Sequence, residues 1–192
     1  MMRAAALLIA LCANAAAVEL HVRFAALERM LSEQVFTQEG RRYVRGSQAS
    51  KCNFAYLEKP QVRGENGRLR MKARFSGRSA LNLAGQCVGL GDAFDVVILA
   101  LPIYKNGAIG LQDVKVTSEG KTGFYIRRVC SAMEASLAHD FRYALEHDAQ
   151  AMLENPAVQP NYQREVRRFT VSDIRVTTDA LVLQVDFELT VK

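Results

Sequence analysis

The sequence lacks the motifs that usually announce an enzyme or a metalloprotein. It contains no C-x-x-C or H-E-x-x-H pair, and its three histidines are scattered, so we predict no metal site. It also contains neither a G-x-S-x-G elbow nor a P-loop. We therefore predict a protein that is not an enzyme and needs no cofactor.

Long apolar runs are missing as well. A membrane-spanning helix needs about 20 mostly apolar residues, and no segment of the chain reaches that length. The first residues, MMRAAALLIALCANAAA, instead place Arg3 before a short apolar run and then small residues, as in a secretory signal peptide. We predict a leader over residues 1–17 and a single domain over 18–192, with a buried N-terminal helix as the alternative for the leader. The protein would then be exported to the periplasm or cell envelope and be soluble after signal removal.

Positive charge is in only slight excess. The chain has 25 Lys and Arg against 20 Asp and Glu, less than a nucleic-acid binder usually concentrates on one face, so no nucleic-acid partner is expected. One stretch, GRLRMKARFSGR at 67–78, alternates cations with apolar residues, which on a strand separates them onto two faces. We predict that the cations form a solvated face, which could also make transient contact with an anionic membrane surface. These cations are Arg68, Arg70, Lys72 and Arg74.

Three cysteines follow the leader. Cys52 in SKCNF and Cys87 in GQCVGLG lie in turn-like surroundings, and we predict a disulfide between them in an oxidising compartment. Pairing of Cys87 with Cys130 is the main alternative. Cys130 lies on the apolar side of a helical pattern, which favours a buried free thiol.

Apolar spacing predicts the main elements. Steps of three and four predict a short helix over 24–36 and one long helix from 124 to 154, roughly 45 Å in length. Alternation predicts closing strands over 166–176 and 181–191. A strand meander is predicted with breaks at Gly77, at GLGD (89–92) and at KNG (105–107); its strands are 68–75, 79–88, 94–101 and 108–117.

This order of elements resembles the TULIP (tubular lipid-binding) superfamily, to which bactericidal/permeability-increasing protein belongs. The resemblance rests on FAALERMLSEQVF, on LPIYKNGAIGLQDVKVTS, and on the long helix followed by a terminal alternating strand. It is sharpest to the small single-domain members of the bacterial cell envelope. It implies an α+β fold in which a long, strongly curved antiparallel sheet wraps around the long helix, with a shorter N-terminal helix.

The resemblance also implies a function. Superfamily members hold a lipid or another elongated hydrophobic ligand between sheet and helix, for transport or sensing. The residues that would line this groove are Met30, Leu31, Leu69, Met71, Phe75, Val96, Ile98, Met133, Leu137, Phe141, Leu183, Val185 and Phe187. The alternative is that these side chains fill a core, each stabilising the fold by ~1.5 to 3 kcal/mol without a ligand. The protein would then be a non-enzymatic interaction or chaperone-like module.

Overall fold

The computed structural model describes residues 18–155 and 163–192; the predicted leader lies outside them, as do the prolines of NPAVQP. In chain order the elements are β1 (Val18–Arg23), α1 (Phe24–Gln34), β2 (Arg41–Arg45), β3 (Asn53–Glu65), β4 (Arg68–Leu83), β5 (Gln86–Lys105), β6 (Ala108–Glu119), α2 (Phe124–Asp140), α3 (Leu145–Glu154), β7 (Arg164–Val176) and β8 (Ala180–Val191).

The predicted architecture, a curved sheet wrapped around one long helix, is wrong. The structure is 59% strand and 23% helix, so most of the fold consists of β-sheet. Two antiparallel sheets form, ordered β2-β3-β4-β5-β6 and β1-β8-β7, with three short helices in the described part of the chain. The N-terminal helix and the two closing strands are confirmed, with boundaries shifted by one to two residues.

The long helix is interrupted between α2 and α3. Tyr143 exchanges two backbone hydrogen bonds with Ile109 of β6, its N–H donating at 2.9 Å and its C=O accepting at 2.8 Å. These bonds require extended backbone at Tyr143, so a helix cannot continue through it. The chain turns at residues 141–144 although no proline or glycine marks the position.

The meander exists, but two of its strands are much longer than predicted. β4 runs through Gly77, and β5 runs through the GLGD segment that was expected to turn. The turn between them is two residues long, at Ala84 and Gly85, with Leu83 paired to Gln86. Both turn residues have positive φ, 51° and 86°, as the tight turn of a β-hairpin requires.

Two hydrophobic cores lie along the five-stranded sheet. The first is centred on Phe75, Phe94 and Val96, which are 2%, 2% and 0% exposed, and α2 covers it with Ile126 and Met133. The second lies where α1, α3 and the three-stranded sheet pack on the other half of the large sheet. The backbone of β3 approaches the backbone of the β7–β8 turn closely there, since a Cβ on Gly64 would lie 1.7 Å from the carbonyl oxygen of Thr177. The two sheets therefore meet where only glycine fits.

Each helix is attached to a strand edge by one glutamate. The backbone N–H groups of Val62, Val116 and Val166 donate to the carboxylates of Glu28, Glu134 and Glu154, at 2.6, 2.8 and 2.8 Å. These amides lie on β3, β6 and β7 and point away from the neighbouring strand. Unpaired strand edges invite pairing with other chains, so the three carboxylates also protect the edges.

The predicted disulfide between Cys52 and Cys87 is confirmed. Cys130 is free and buried, as expected, and burial raises the pKa of its thiol. No helix within residues 18–155 and 163–192 combines the length and the apolar character that a bilayer crossing requires.

Candidate functional site

The end of the β4–β5 hairpin extends beyond the rest of the sheet. The last pair between β3 and β4 joins Asn53 to Ser79, and after it β4 and β5 pair only with each other. We call residues 79–91 the hairpin tip. Its sequence, SALNLAGQCVGLG, contains no charged residue.

One face of the hairpin tip is apolar and exposed. Leu81 is paired directly with Val88, Leu83 with Gln86, and Ser79 with Leu90. Because directly paired residues share a face, Leu81, Leu83, Val88 and Leu90 lie on the same side. Their exposed fractions are 70%, 56%, 56% and 68%, so four large apolar side chains stand together in solvent.

This apolar surface continues the face of the sheet that packs the first core. Counting in twos along β4 leads from Phe75 to Leu81, and along β5 from Phe94 to Leu90, so all four side chains share that face. Under α2 the face is buried, and beyond α2 it is uncovered. The helix begins at the base of the tip, since Lys121 bonds to the Asp92 carboxylate and, at 3.1 Å, to the Ala93 carbonyl oxygen. The apolar face of the tip therefore continues the core-facing surface of the sheet but is not covered by a helix.

The other face of the tip and its β4 edge are fastened to the body. Cys87 is joined to Cys52, and the N–H of Ala80 donates to the Cys52 carbonyl oxygen at 3.0 Å. The side-chain amide of Asn53 donates to the Ala80 carbonyl oxygen at 2.9 Å. The attachment leaves the apolar face free and fixes its direction.

Cations surround the base of the tip. The segments that meet there, residues 45–53, 76–94 and 118–131, contain six Lys and Arg but two Asp and Glu. Five of the cations, Arg45, Lys51, Arg78, Arg127 and Arg128, are exposed and form no ion pair within the described residues; we call them the basic rim. Arg127 and Arg128 also line an open cavity of about 460 Å³ beside Phe124, which is 74% exposed.

The cationic stripe predicted from the sequence has a different character. It lies on the outer face of β4, where acidic side chains of the neighbouring strands and turns pair with it. A hydrogen bond from Lys72 lowers the pKa of Glu119, and one from Arg74 lowers the pKa of Asp95. The pairs and their shortest distances are Arg68–Asp113 3.9 Å, Arg70–Glu119 3.0 Å, Lys72–Glu119 2.6 Å and Arg74–Asp95 3.1 Å. Membrane contact through this stripe stays a prediction, but its positive charge is largely matched.

The thirteen predicted ligand-lining residues are divided between the two cores. Phe75, Val96, Ile98 and Met133 are buried in the first core, with Leu137 packed against it. The second core buries Leu183 and Val185, with Leu69 at its margin. Leu31 and Met71 contact both cores. Met30 and Phe141 are partly buried outside these clusters, and Phe187 is 38% exposed.

Sequence reasoning missed the hairpin tip. Its signal was present in the charge-free run 79–91 and in the alternation of Leu81 and Leu83. Placing a turn at GLGD (89–92) assigned Leu90 to a loop, which hid the pairing of the apolar residues on one face.

No family model, curated protein or solved structure shows a significant match to the chain. The resemblance to the TULIP superfamily therefore stays a prediction, and the long helix that formed part of it is not present. Within the described residues, no three His, Cys, Asp or Glu side chains come close enough to hold a metal ion.

Proposed function

We propose that this protein is an exported, non-enzymatic binding protein of the cell envelope that holds a lipid or another elongated apolar ligand on the hairpin tip. The observation that carries the proposal is the single uncovered face formed by Leu81, Leu83, Val88 and Leu90. Contiguous exposed apolar surface rimmed by polar residues is typical of binding sites.

The size of this face supports a small apolar partner. The four exposed fractions amount to about two and a half fully exposed side chains. Covering them would contribute roughly 4 to 7 kcal/mol at 1.5 to 3 kcal/mol per side chain. That free energy equals the burial of about five to nine methylene groups; it is not itself a binding free energy, because association also costs translational and rotational freedom. A stretch of acyl chain has that length.

A protein partner would need more surface. At ~25 cal/mol per Å², the same free energy corresponds to about 150 to 300 Å² of apolar area. A standard protein interface covers about 800 Å² on each partner. The hairpin tip alone therefore fits an acyl chain better than a protein.

One observation favours an interaction module as a second candidate. Helix α2 packs against Phe75, Phe94 and Val96, which are at most 2% exposed. The space between helix and sheet is therefore filled by side chains, and residues such as Phe75 and Val96, which were expected to contact a ligand, contact the core instead. In that case the hairpin tip would be one part of a larger docking surface for a protein.

Native mass spectrometry of protein purified from its own envelope separates the two candidates. A co-purifying lipid, or saturable binding of a fluorescent fatty acid that the Leu81→Ser, Leu90→Ser double variant loses, supports lipid binding. The control is Leu20→Ser with Val191→Ser, which removes two exposed apolar side chains from the three-stranded sheet, away from the tip. Absence of lipid, together with fatty-acid binding equal in wild type and double variant, would refute the proposal.

Export is a separate part of the proposal, supported by the signal-peptide pattern and by a disulfide compatible with an oxidising compartment. Intact-mass analysis of protein from a cell-envelope fraction tests it. A mature chain that begins near Val18 is expected. A chain that still carries Arg3 would contradict cleavage.

A further inference from the structure

We propose that the partner of the hairpin tip is the surface of an anionic lipid bilayer. Leu81, Leu83, Val88 and Leu90 would enter the boundary between headgroups and acyl chains, while the basic rim meets the phosphates. The inference rests on the proposed function, because it requires that the tip bind an apolar partner, and it names that partner as a membrane rather than a single extracted lipid.

The first argument for a membrane partner is the distribution of charged side chains around the hairpin tip. Charged side chains are costly at membrane depth, and the thirteen residues of the tip carry none. Charge resumes at the base of the tip with Arg78 on β4 and Asp92 on β5, of which Asp92 is bonded to Lys121. The remaining cations there have no acidic partner in the described part of the chain. An anionic surface is complementary to this arrangement.

The modest size of the apolar face carries the second step. One shallow apolar anchor gives marginal, reversible membrane binding, and a second signal such as a basic patch is needed for stable attachment. The hairpin tip and the basic rim supply these two signals at one end of the molecule. The apolar area is also well below the ~800 Å² that each protomer of a standard dimer covers, which argues against a second copy as the occupant.

The third argument is that the hairpin tip is held in a fixed orientation. The disulfide to Cys52 holds Cys87 on the opposite face, and the backbone bond from Ala80 to Cys52 holds the β4 edge. The tip therefore cannot fold back over its own apolar side chains, and Leu81 and Leu90 stay presented outward. Phe124, at the start of α2 and 74% exposed, adds an aromatic side chain at the level of the rim, where aromatic residues favour the membrane interface.

Vesicle co-sedimentation tests the inference with the full purified protein. We expect binding to phosphatidylcholine vesicles that contain roughly one third phosphatidylglycerol, and weaker binding to phosphatidylcholine alone. Each cation near an anionic surface is worth about a fivefold change in affinity, so Arg127→Gln with Arg128→Gln should weaken binding roughly 30-fold. Raising the salt from about 0.1 M to about 1 M, which shortens the Debye length from ~10 Å to ~3 Å, should produce a similar loss.

The apolar arm is tested by Leu81→Ser with Leu90→Ser, for which we expect at least about a 30-fold loss on both kinds of vesicle. Matched controls are Lys105→Gln with Lys115→Gln, which remove two exposed cations far from the tip and should change nothing. Circular dichroism verifies that each variant is folded. A charge variant that binds fatty acid normally but anionic vesicles weakly would give the clearest support.

The outcomes separate this inference from the proposed function. Fatty-acid binding without vesicle binding would overturn the membrane as the partner and leave the lipid-binding proposal standing. Loss of both would overturn both. A dimer detected by light scattering that disappears in the Leu81→Ser, Leu90→Ser variant would overturn the inference in favour of a second copy.

Discussion

Replacing Glu134 by alanine should lower the free energy of unfolding by about 1.5 to 3 kcal/mol. In the structure its carboxylate accepts the N–H of Val116 at 2.8 Å, and Val116 is only 4% exposed. A hydrogen bond to a charged group contributes roughly 1.5 to 3 kcal/mol, and a buried amide left without a partner costs about as much. The alanine variant loses the acceptor, and water cannot easily reach the amide to replace it.

The same measurement on related variants isolates the cause. Glu134→Gln keeps an acceptor oxygen and should lose less than half as much as the alanine variant. Glu154→Ala should lose less than Glu134→Ala, because Glu154 is exposed and water can take its place beside Val166. Glu33→Ala is the matched control, since Glu33 lies on the exposed side of α1, and no loss is expected there.

Equilibrium unfolding in urea, followed by circular dichroism, provides the free energies. The reasoning is refuted if Glu134→Ala lies within about 0.5 kcal/mol of Glu33→Ala, the range usual for surface substitutions. If Glu134→Gln is as damaging as Glu134→Ala, the charge rather than the acceptor oxygen is responsible, and the edge-amide account is wrong.

Three further predictions concern other features. Removing the disulfide with Cys52→Ala and Cys87→Ala should cost about 4 kcal/mol in urea unfolding, because the bond closes a loop with a sequence separation of 35. Gly64→Ala should lower the thermal midpoint, since its Cβ would overlap the backbone of the β7–β8 turn. The hydrogen bond from Lys72 lowers the pKa of Glu119 below the value of 4.5 usual for a glutamate in an unfolded chain, so this pair stabilises the fold above that pH and the contribution disappears as the pH falls through the lower folded value. Urea midpoints of wild type and Glu119→Gln should therefore converge on acidification.

The sequence predicted features that depend on local periodicity. The two closing strands and the first helix were recognised because apolar residues recur with the period of each element, as Leu181, Leu183 and Val185 do. The disulfide was found because Cys52 and Cys87 both lie in turn-like sequence. These signals are read within a few residues and do not depend on what packs against them.

The interruption of the long helix could not be read in this way. Phe141 and Leu145 continue the helical spacing, and local propensity offers no stop. The backbone of Tyr143 is extended because it pairs with Ile109 on the edge of β6, a partner far away in sequence. Tertiary hydrogen bonding overrides periodicity at this point.

The hairpin tip was missed for a related reason. Gly89 and Gly91 in the GLGD segment carry the composition of a turn, but both lie in an extended ladder. At Gly89, a Cβ would lie 2.4 Å from the carbonyl oxygen of Ser79, so glycine is needed for close approach of the strands. The true turn, Ala84–Gly85, has a weaker sequence signature.

The pairing of β1 with β8 has a consequence for the order of folding. The meander and the β7–β8 hairpin join neighbours in sequence, whereas Val18 pairs with Val185 across nearly the whole described chain. Closing so large a loop is entropically costly until the rest of the chain is compact, and such contacts form late. During synthesis β1 emerges from the ribosome long before β8, so it must wait for β8 before the smaller sheet can be completed.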